Sequence, residues 1–291
     1  MKFIDLFCGA GGLSQGFIDE GFEPILAIDN DIPSVEHYNS NVAEVALCMD
    51  VKEVDMKEFD EADIIIGGPP CQGFSIAGKR LKADPRSSLS IYFAKFVNDV
   101  KPNWFVMENV DGLLSLEYRN LIEKKLRENF QVQRVLLDAV KYGAPQFRKR
   151  LFFIGRLKGN SGIGLLEAPL PPDMWKTVRD ALPDYEFPWY YRHPRTYGRR
   201  GVYSVDEPSP TIRTVNRPMP KTYRRHKNDA PYELAMVRAL TAEERGRIQF
   251  YPHEFEWKGT KAVKNTLIGN AVPPIMAQVV ARAILRSQHN S

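Results

Sequence analysis

Cysteine, histidine and long apolar runs are scarce in this sequence. Its 291 residues include three cysteines and five histidines, and neither set has the short paired spacing of zinc ligands. Three cysteines also give no even count for a disulfide framework. The longest apolar runs, such as Ile64-Ile65-Ile66, are far shorter than the roughly 20 residues needed to span a bilayer. We therefore expect free thiols, no metal ion and no membrane segment.

We also expect no secretory signal, since Met1-Lys2 leads directly into a strand-like run and then into glycines. We therefore expect a cytoplasmic protein. The apolar fraction of 43% and the charged fraction of 26% are those of an ordinary globular protein. Because 291 residues exceed the usual single-domain size, we expect one large domain with a smaller one attached.

The first 155 residues alternate short β-rich runs with amphipathic stretches, a pattern typical of an α/β fold with a doubly wound parallel sheet. The predicted strands cover residues 3–7, 24–28, 63–66, 104–107, 132–137 and 151–154. The predicted helices cover residues 12–20, 33–40, 87–100 and 116–129.

From Ala168 to Tyr232 the pattern gives way to proline, aromatic and arginine residues, which predicts a small irregular domain. Between residues 190 and 228 there are ten basic and two acidic residues, a local charge of +8 in a chain whose formal net charge is only +4. Helix returns at Thr241, where Thr241 and Glu244 form a capping-box pair. We expect the apolar helix after residue 274 to pack on the first domain, which makes residues 168–264 an insertion between 1–167 and 265–291.

The stretch "FIDLFCGAGGLSQGF" predicts a strand, a glycine-rich turn and a helix start. Gly9, Gly11 and Gly12 let the backbone bend sharply and approach a ligand. About twenty residues on, "AIDND" provides Asp29, a carboxylate that can accept both hydroxyl groups of a ribose. The dinucleotide pattern fails because Ser14 occupies its third glycine position, so the loop favours another adenosine-bearing cofactor over a pyrophosphate.

In "DIIIGGPPCQGFS" the prolines fix the backbone just before Cys71. The thiol then lies at the carboxyl end of a predicted strand, the edge where open α/β sheets bind ligands. A thiolate is a strong nucleophile, so Cys71 is a candidate catalytic residue, with a buried inert cysteine as the alternative.

Two further patterns bring charge to the same edge. The apolar strand in "NWFVMENV" ends at Glu108, a poorly solvated acid whose pKa we expect to be raised, so that it can hold a proton to donate. In "QFRKRLFFIG" the two-residue period places Gln146, Arg148 and Arg150 on one face, where the arginines can orient a planar polar ligand. The alternative interpretations are that Glu108 caps a helix and that the arginines belong to a solvated run of charge.

The ordered set "DLFCGAGGLSQGF", "AIDND", "GGPPCQGFS", "ENV", "QFRKR", "RALTAEERGRIQFYP" and "IGNAVPP" resembles the DNA (cytosine-5-)-methyltransferases. The resemblance covers most of the chain, with residues 168–232 as the main exception. It implies a Rossmann-like, S-adenosylmethionine-dependent methyltransferase sheet with helices on both faces and a small irregular target-recognition domain.

The resemblance also implies catalytic roles. Cys71 matches the cysteine whose thiolate adds to C6 of cytosine, and Glu108 matches the acid that protonates or hydrogen-bonds N3. Arg148 and Arg150 match the arginines that hold the base and stabilise the adduct.

For the cofactor S-adenosylmethionine, the resemblance implies that Phe7 lies near the adenine, Asp29 binds the ribose and Asn270 lies near the methionine end. The glycine loop Gly9, Gly11 and Gly12 would pass beside it. Asp50 in "CMDV" would accept from the adenine amino group, with a helix-start residue as the alternative.

Double-stranded DNA is the expected partner, with the target cytosine rotated out of the stack. The basic small domain would contact phosphates and base edges, and "DEPSPTIRT" resembles the core of family recognition domains. The loop from Ser75 to Arg86 would close over the flipped base. The expected DNA-contacting residues are Ser75, Lys79, Arg80, Gln146, Arg199, Arg200, Thr211, Ile212 and Arg213.

Two other readings stay open. A tRNA-methylating branch shares nearly all these motifs, but it carries a Cys-Phe-Thr signature, and no cysteine follows Cys71 here. A DNA-binding relative without activity is disfavoured by the intact Cys71, Glu108 and Arg150. We expect a monomer, with a restriction endonuclease as a possible functional partner.

Overall fold

The computed structural model describes residues 1–54, 61–70, 89–110, 117–160, 162–194, 196 and 198–289. The chain divides into two compact units: a first unit of Met1–Leu137, Lys149–Ala168 and Met276–Ser291, and a second unit of Asp138–Arg148 and Pro169–Ile275. The sequence analysis grouped residues 138–148 and 265–275 with the large domain. In the structure they belong to the second unit, because Arg148 and Asn265 hydrogen-bond to residues of that unit.

The first unit contains a seven-stranded sheet with the order β3-β2-β1-β4-β5-β7-β6. All six predicted strands are present within a few residues of their expected ends, and β3 was not predicted. The strands are β1 (Lys2–Leu6), β2 (Glu23–Asp29), β3 (Ala46–Cys48), β4 (Ile64–Gly67), β5 (Trp104–Val110), β6 (Phe130–Asp138) and β7 (Lys149–Leu157).

The strands from β3 to β5 in this order are parallel, as predicted. The sheet is not parallel throughout, however, because β5 pairs antiparallel with β7. The strand β6 precedes β7 in the chain and lies beside it in the sheet, which lets a short connection join the two. The carboxyl end of β5 therefore faces the start of β7, with Val110 opposite Arg150.

Helices cover both faces of this sheet. On one face α3 and α4 pack on a cluster that includes Phe105 and Phe153. On the other face Phe17 of α1 contacts Phe3, and α8 accepts a hydrogen bond from Arg156 through Ser287 O. These helices are α1 (Gly12–Ile18), α2 (Ile32–Asn41), α3 (Leu89–Val100), α4 (Glu117–Leu126) and α8 (Pro274–His289).

The second unit has short elements joined by long irregular segments, consistent with its proline and arginine content. A three-stranded sheet has the order β10-β8-β9, and the predicted capping box at Thr241 and Glu244 begins α6. The elements are α5 (Val178–Ala181), β8 (Trp189–Tyr191), β9 (Val202–Ser204), β10 (Val237–Ala239), α6 (Ala242–Ile248) and α7 (Lys261–Asn270).

The segment Lys261–Gln288, which contains α7 and α8, is long and apolar enough by length and composition to cross a membrane. Of its apolar window, 72% is buried inside the protein, as in the core helix of a folded domain. The charged Arg282 of α8 donates to Glu20 and Glu167, so this helix is fixed to the first unit by side-chain contacts. We therefore assign α8 to the core of the first unit.

Candidate cofactor loop, catalytic edge and buried polar network

The glycine loop joins β1 to α1 through an unusual backbone. Phe7, Gly9 and Gly11 have φ values of 65°, 53° and 78°, in the region that favours glycine. A Cβ atom on Gly11 would lie 2.6 Å from a Val42 methyl group, whereas one on Gly9 would meet no atom within 4 Å. The loop is therefore packed on one side at Gly11 and open at Gly9, where a ligand can approach the backbone.

Asp29 holds this loop. Its Oδ2 accepts a hydrogen bond from Gly9 N at 2.9 Å, and its Oδ1 accepts one from Asp31 N at 3.0 Å. Burial raises the pKa of Asp29, against the lowering effect of these N–H donors. Since each carboxylate oxygen has further acceptor capacity, Asp29 can still accept from a diol. The structure thus brings together the predicted glycine loop and the predicted acid.

Asp50 follows β3, the neighbour of β2 in the sheet. Its side chain accepts from Lys52 N at 3.0 Å and caps a short 3₁₀ turn, Val51–Glu53. The helix-start alternative is therefore present, and a contact to a ligand stays a prediction. Asn270 is the last residue of α7, is exposed, and belongs to the second unit.

Asp5 is a buried acid that the sequence analysis missed. Its side chain is fully buried. Asp5 Oδ2 accepts a hydrogen bond from Ser14 Oγ at 2.6 Å, and Ser14 Oγ accepts one from the Tyr38 hydroxyl at 2.9 Å. Its Oδ1 has no hydrogen-bond partner among the described residues. Burial, the largest cause, raises the pKa of Asp5 to about 8. Only its place inside the strand-like run "FIDLF" hinted at burial.

Glu108 and Arg150 meet at the carboxyl end of β5. Arg150 Nε lies 2.7 Å from Glu108 Oε1, and the two side chains are only 12% and 10% exposed. A Cβ atom on Gly68 would lie 3.1 Å from Glu108 Oε2, so the carboxylate sits against the Gly68-Pro69-Pro70 segment. That segment leads directly into Cys71 in the sequence.

Asn109 joins the same segment to β5 and α3. Its Nδ2 donates to Pro69 O at 3.1 Å and to Ser90 Oγ at 3.4 Å. The backbone before Cys71 is therefore fixed by the end of the next strand as well as by its prolines. Cys71 itself lies outside the described residues, as do Ser75, Lys79 and Arg80, so their roles stay predictions.

The predicted alternation in "QFRKR" is confirmed by burial, because Gln146 and Arg148 are buried while Phe147 and Lys149 are exposed. Arg148 is 1% exposed, and its guanidinium donates to Ile212 O, Gly269 O and Ala271 O at 2.9, 2.9 and 2.7 Å. Through these bonds the guanidinium N–H groups of Arg148 bind backbone carbonyl groups of the second unit. Arg148 thus differs from Arg150, whose partner is a carboxylate of the first unit.

Gln146 belongs to the same buried network. Its Oε1 accepts from Ile212 N at 2.8 Å, and its Nε2 donates to Gln249 Oε1 at 3.0 Å. Arg245, another residue that the sequence analysis missed, donates to Arg213 O and to Asn265 Oδ1. Burial, aided by Arg192 and Arg213, lowers the pKa of Arg245 to about 10. The network thus fixes the backbone of Thr211-Ile212-Arg213 through polar side chains.

Most of the arginine and threonine residues expected to contact DNA already have partners within the second unit. Arg200 pairs with Glu207 and stacks on Tyr203 at 4.2 Å. Thr211 Oγ1 donates to Phe147 O at 2.6 Å, and Arg213 donates to His193 O. Ile212 is 5% exposed, while Arg199 is exposed.

Two of the three cysteines lie within the described residues. Cys8 is buried and Cys48 is exposed, and both are free. Within the described ranges, no group of three or more His, Cys, Asp or Glu side chains is arranged to hold a metal ion. The absence of a metal stays a prediction.

Comparison with known proteins gives whole-chain matches. The family model described as C-5 cytosine-specific DNA methylase matches residues 1–286. The type II methyltransferase M.HgiDI of Herpetosiphon aurantiacus is 42% identical over 98% of this chain and 94% of its own. The type II methyltransferase M.HindV of Haemophilus influenzae is also 42% identical, over 98% of this chain and 96% of its own.

Solved structures agree on the fold. The S. pombe Dnmt2 methyltransferase superposes with a TM-score of 0.72 at 19% identity, covering 98% of this chain and 99% of its own. The Entamoeba histolytica methyltransferase EhMeth gives a TM-score of 0.70 at 14% identity, covering 99% and 98%.

Proposed function

Because this chain belongs to the C-5 cytosine-specific DNA methylase family, we propose that it transfers a methyl group from S-adenosylmethionine to C5 of a flipped-out cytosine in double-stranded DNA. We further propose that Cys71 forms a covalent bond to C6 during the reaction. By analogy with the type II relatives, the product would protect DNA from a restriction endonuclease. The enzyme would act as a cytoplasmic monomer.

The observation that carries the proposal is the position of the Glu108 carboxylate. It lies beside the Gly68-Pro69-Pro70 segment and is paired with Arg150 at 2.7 Å. Cys71 follows Pro70 in the sequence, and the Glu108 carboxylate lies beside Gly68 at the sheet edge where α/β proteins bind ligands. Addition of a thiolate to a pyrimidine ring needs both groups, one for each end of the polarised ring.

The residues of the first unit fit the cofactor. S-adenosylmethionine contains a ribose diol, an adenine and an amino-acid group, and when bound it supplies an electrophilic methyl group. Asp29 retains acceptor capacity for the diol, and the backbone at Gly9 is open to a ligand. Asp50 follows the strand next to that of Asp29 and is the proposed acceptor for the adenine amino group. Phe7, Gly11 and Gly12 complete the proposed cofactor set of the first unit, and Asn270 of the second unit stays a prediction.

In the proposed reaction the Cys71 thiolate forms a bond to C6 of cytosine, and electron density moves through the ring toward N3 and O2. Glu108 hydrogen-bonds or protonates N3, and Arg150 stabilises the charge that develops on the ring. The activated C5 forms a bond to the methyl carbon, whose bond to the sulfonium sulfur would break, so that the cofactor would leave as a neutral thioether. A base that the sequence does not identify then removes the C5 proton, the C5–C6 double bond re-forms, and Cys71 leaves as thiolate.

The decisive experiment is transfer of labelled methyl from S-adenosylmethionine to mixed-sequence duplex DNA, with tRNA as a parallel substrate, followed by bisulfite sequencing. We expect label at cytosine C5 in one short DNA context. Label in tRNA alone would support the tRNA branch, and no label in either would support a relative that has lost activity.

Variants test the two groups separately. Cys71→Ala should abolish methyl transfer and leave DNA binding intact, whereas Cys48→Ala, which removes an exposed free thiol, should keep full activity. Glu108→Gln should slow methyl transfer with cofactor binding kept. Full activity of Cys71→Ala would disprove the covalent role, and parental speed of Glu108→Gln would disprove the N3 role.

A further inference from the structure

A basic loop in the second unit, residues 217–227, has the sequence RPMPKTYRRHK and contains no acidic residue. Its arginines and lysines are all exposed. They are Arg217, Lys221, Arg224, Arg225 and Lys227. Side by side in a short loop, like charges repel one another unless an anion neutralises them.

Asp229 anchors the end of the basic loop. Its carboxylate accepts from Gly201 N at 2.9 Å, Val202 N at 3.0 Å and His226 N at 2.7 Å. Burial tends to raise the pKa of Asp229, but these N–H donors outweigh it and hold the pKa below its ordinary value. Asp229 is therefore charged, and its carboxylate is occupied by these N–H donors, so it does not neutralise the loop cations.

Aromatic residues fix the middle of the loop. Tyr223 donates to Asp229 Oδ2 at 2.8 Å and packs edge-on against Tyr191 at 5.4 Å. A Cβ atom on Gly201 would lie 2.6 Å from the Tyr223 hydroxyl, so this contact requires glycine. Arg225 stacks on Tyr232 at 4.4 Å and donates to Tyr232 O at 2.6 Å. The backbone path is thus set by contacts that do not use the remaining cations.

Between residues 221 and 227, three cations of the loop stay available. Within the part of the chain that the structure describes, Lys221, Arg224 and Lys227 make no hydrogen bond or ion pair through their side chains. By contrast, Arg200 pairs with Glu207 and Arg179 pairs with Asp206. Uncommitted exposed cations on an anchored loop are suited to contacts with phosphates.

We propose that the basic loop is the surface through which the second unit holds the DNA phosphate backbone. The inference rests on the proposed DNA substrate and assigns the phosphate contacts to Lys221, Arg224 and Lys227 instead of Arg200 and Arg213. Each such contact releases counterions from the duplex, and the binding constant then falls with salt at a slope of about −0.9 per phosphate contact. The loop positions the duplex without reading its bases.

The test measures the salt dependence of binding by fluorescence anisotropy of a labelled mixed-sequence duplex. The loop triple variant carries Lys221→Gln, Arg224→Gln and Lys227→Gln. A control triple variant, Lys95→Gln, Lys101→Asn and Lys124→Gln, removes three exposed lysines of the first unit and so the same net charge. Asparagine replaces Lys101 because this residue has a φ of 56°, a left-handed conformation that asparagine adopts more readily than glutamine.

We expect the loop triple to lower the magnitude of the slope by about 2 to 3, and the control triple to change it by less than about 1. At about 0.1 M salt each lost contact weakens binding by about eightfold. The single variant Arg224→Gln should lower the slope by about 1, which keeps the test valid if the triple variant folds poorly.

A loop triple with the parental slope, in a protein whose wild type binds and methylates duplex DNA, overturns the inference alone. A wild type that binds duplex but methylates nothing disproves the proposed activity, while the slopes still decide the role of the loop. A wild type that binds no duplex overturns both.

Discussion

Arg148→Met tests whether Arg148, unlike Arg150, acts by holding the backbone of the second unit. The change removes three hydrogen bonds of 2.7 to 2.9 Å and leaves the carbonyl groups of Ile212, Gly269 and Ala271 without their guanidinium donor. Each buried carbonyl that loses its donor costs about 1 to 2 kcal/mol. We therefore expect the free energy of unfolding of the second unit to fall by about 3 to 6 kcal/mol, a large part of the 5 to 15 kcal/mol typical of a folded protein.

The assay is urea unfolding followed by tryptophan fluorescence. Three of the four tryptophans, Trp175, Trp189 and Trp257, lie in the second unit and report its transition. Lys149→Met is the matched control, since the neighbouring side chain is exposed and its loss should change stability by about 0.5 kcal/mol or less. Arg148→Lys should recover only part of the loss, because one ammonium group cannot reproduce the planar fork that spans three carbonyls.

A methyl-transfer assay distinguishes a positioning role of Arg148 from direct contact of Arg148 with the base. Measured at a temperature where Arg148→Met is fully folded, kcat should stay within a few fold of the parent while KM for DNA rises. An Arg148→Met protein of parental stability that has lost methyl transfer would refute this reasoning and return Arg148 to the base-contacting set.

Three further predictions follow from buried groups of the first unit. Asp5 has a pKa of about 8 because it is buried, so the native state holds a proton that the unfolded state loses above about pH 4. The free energy of unfolding of the parent should therefore fall by about 1.4 kcal/mol per pH unit between about pH 4 and 8 and level off above that. In urea unfolding, Asp5→Asn should remove this slope. Gly155→Ala would place a Cβ atom 1.9 Å from the Phe105 ring and should lower the unfolding free energy by about 3 kcal/mol, whereas an unchanged urea midpoint would contradict the packing argument. Asp29→Ala removes the acceptor for Gly9 N and should weaken S-adenosylmethionine binding at least about tenfold by calorimetry, with parental affinity as the contrary result.

Local signals in the sequence predicted much of the fold. The two-residue period placed Gln146 and Arg148 on one face and Lys149 on the other, which their burial and exposure confirm, and the Thr241 capping box identified the start of α6. The glycines before α1 and the acid at the end of β2 were predicted to lie together, and Asp29 does bind Gly9 N. Short strands without a flanking pattern were harder, since β3 has only three residues and was missed.

Local sequence patterns did not predict the direction of a strand or the hydrogen-bond and ion-pair partners of a side chain. A strand pattern carries no sign of direction, so the antiparallel pairing of β7 with β5 was not predicted. The pairing matters because it brings Arg150 to Glu108. Likewise, the arginines of the second unit look alike in sequence, and only their partners distinguish Arg200, bound to Glu207, from Arg224, which no described residue neutralises.

The sequence by itself determined the family, the order of the elements and the residue types of the candidate site, because backbone geometry and side-chain period are encoded within a few neighbouring residues. The tertiary structure decided which arginine of "QFRKR" meets a carboxylate and which binds the backbone. The acceptors of Arg148 lie 64, 121 and 123 residues away in the chain. Contacts at that separation depend on how distant segments pack, and no local pattern specifies them.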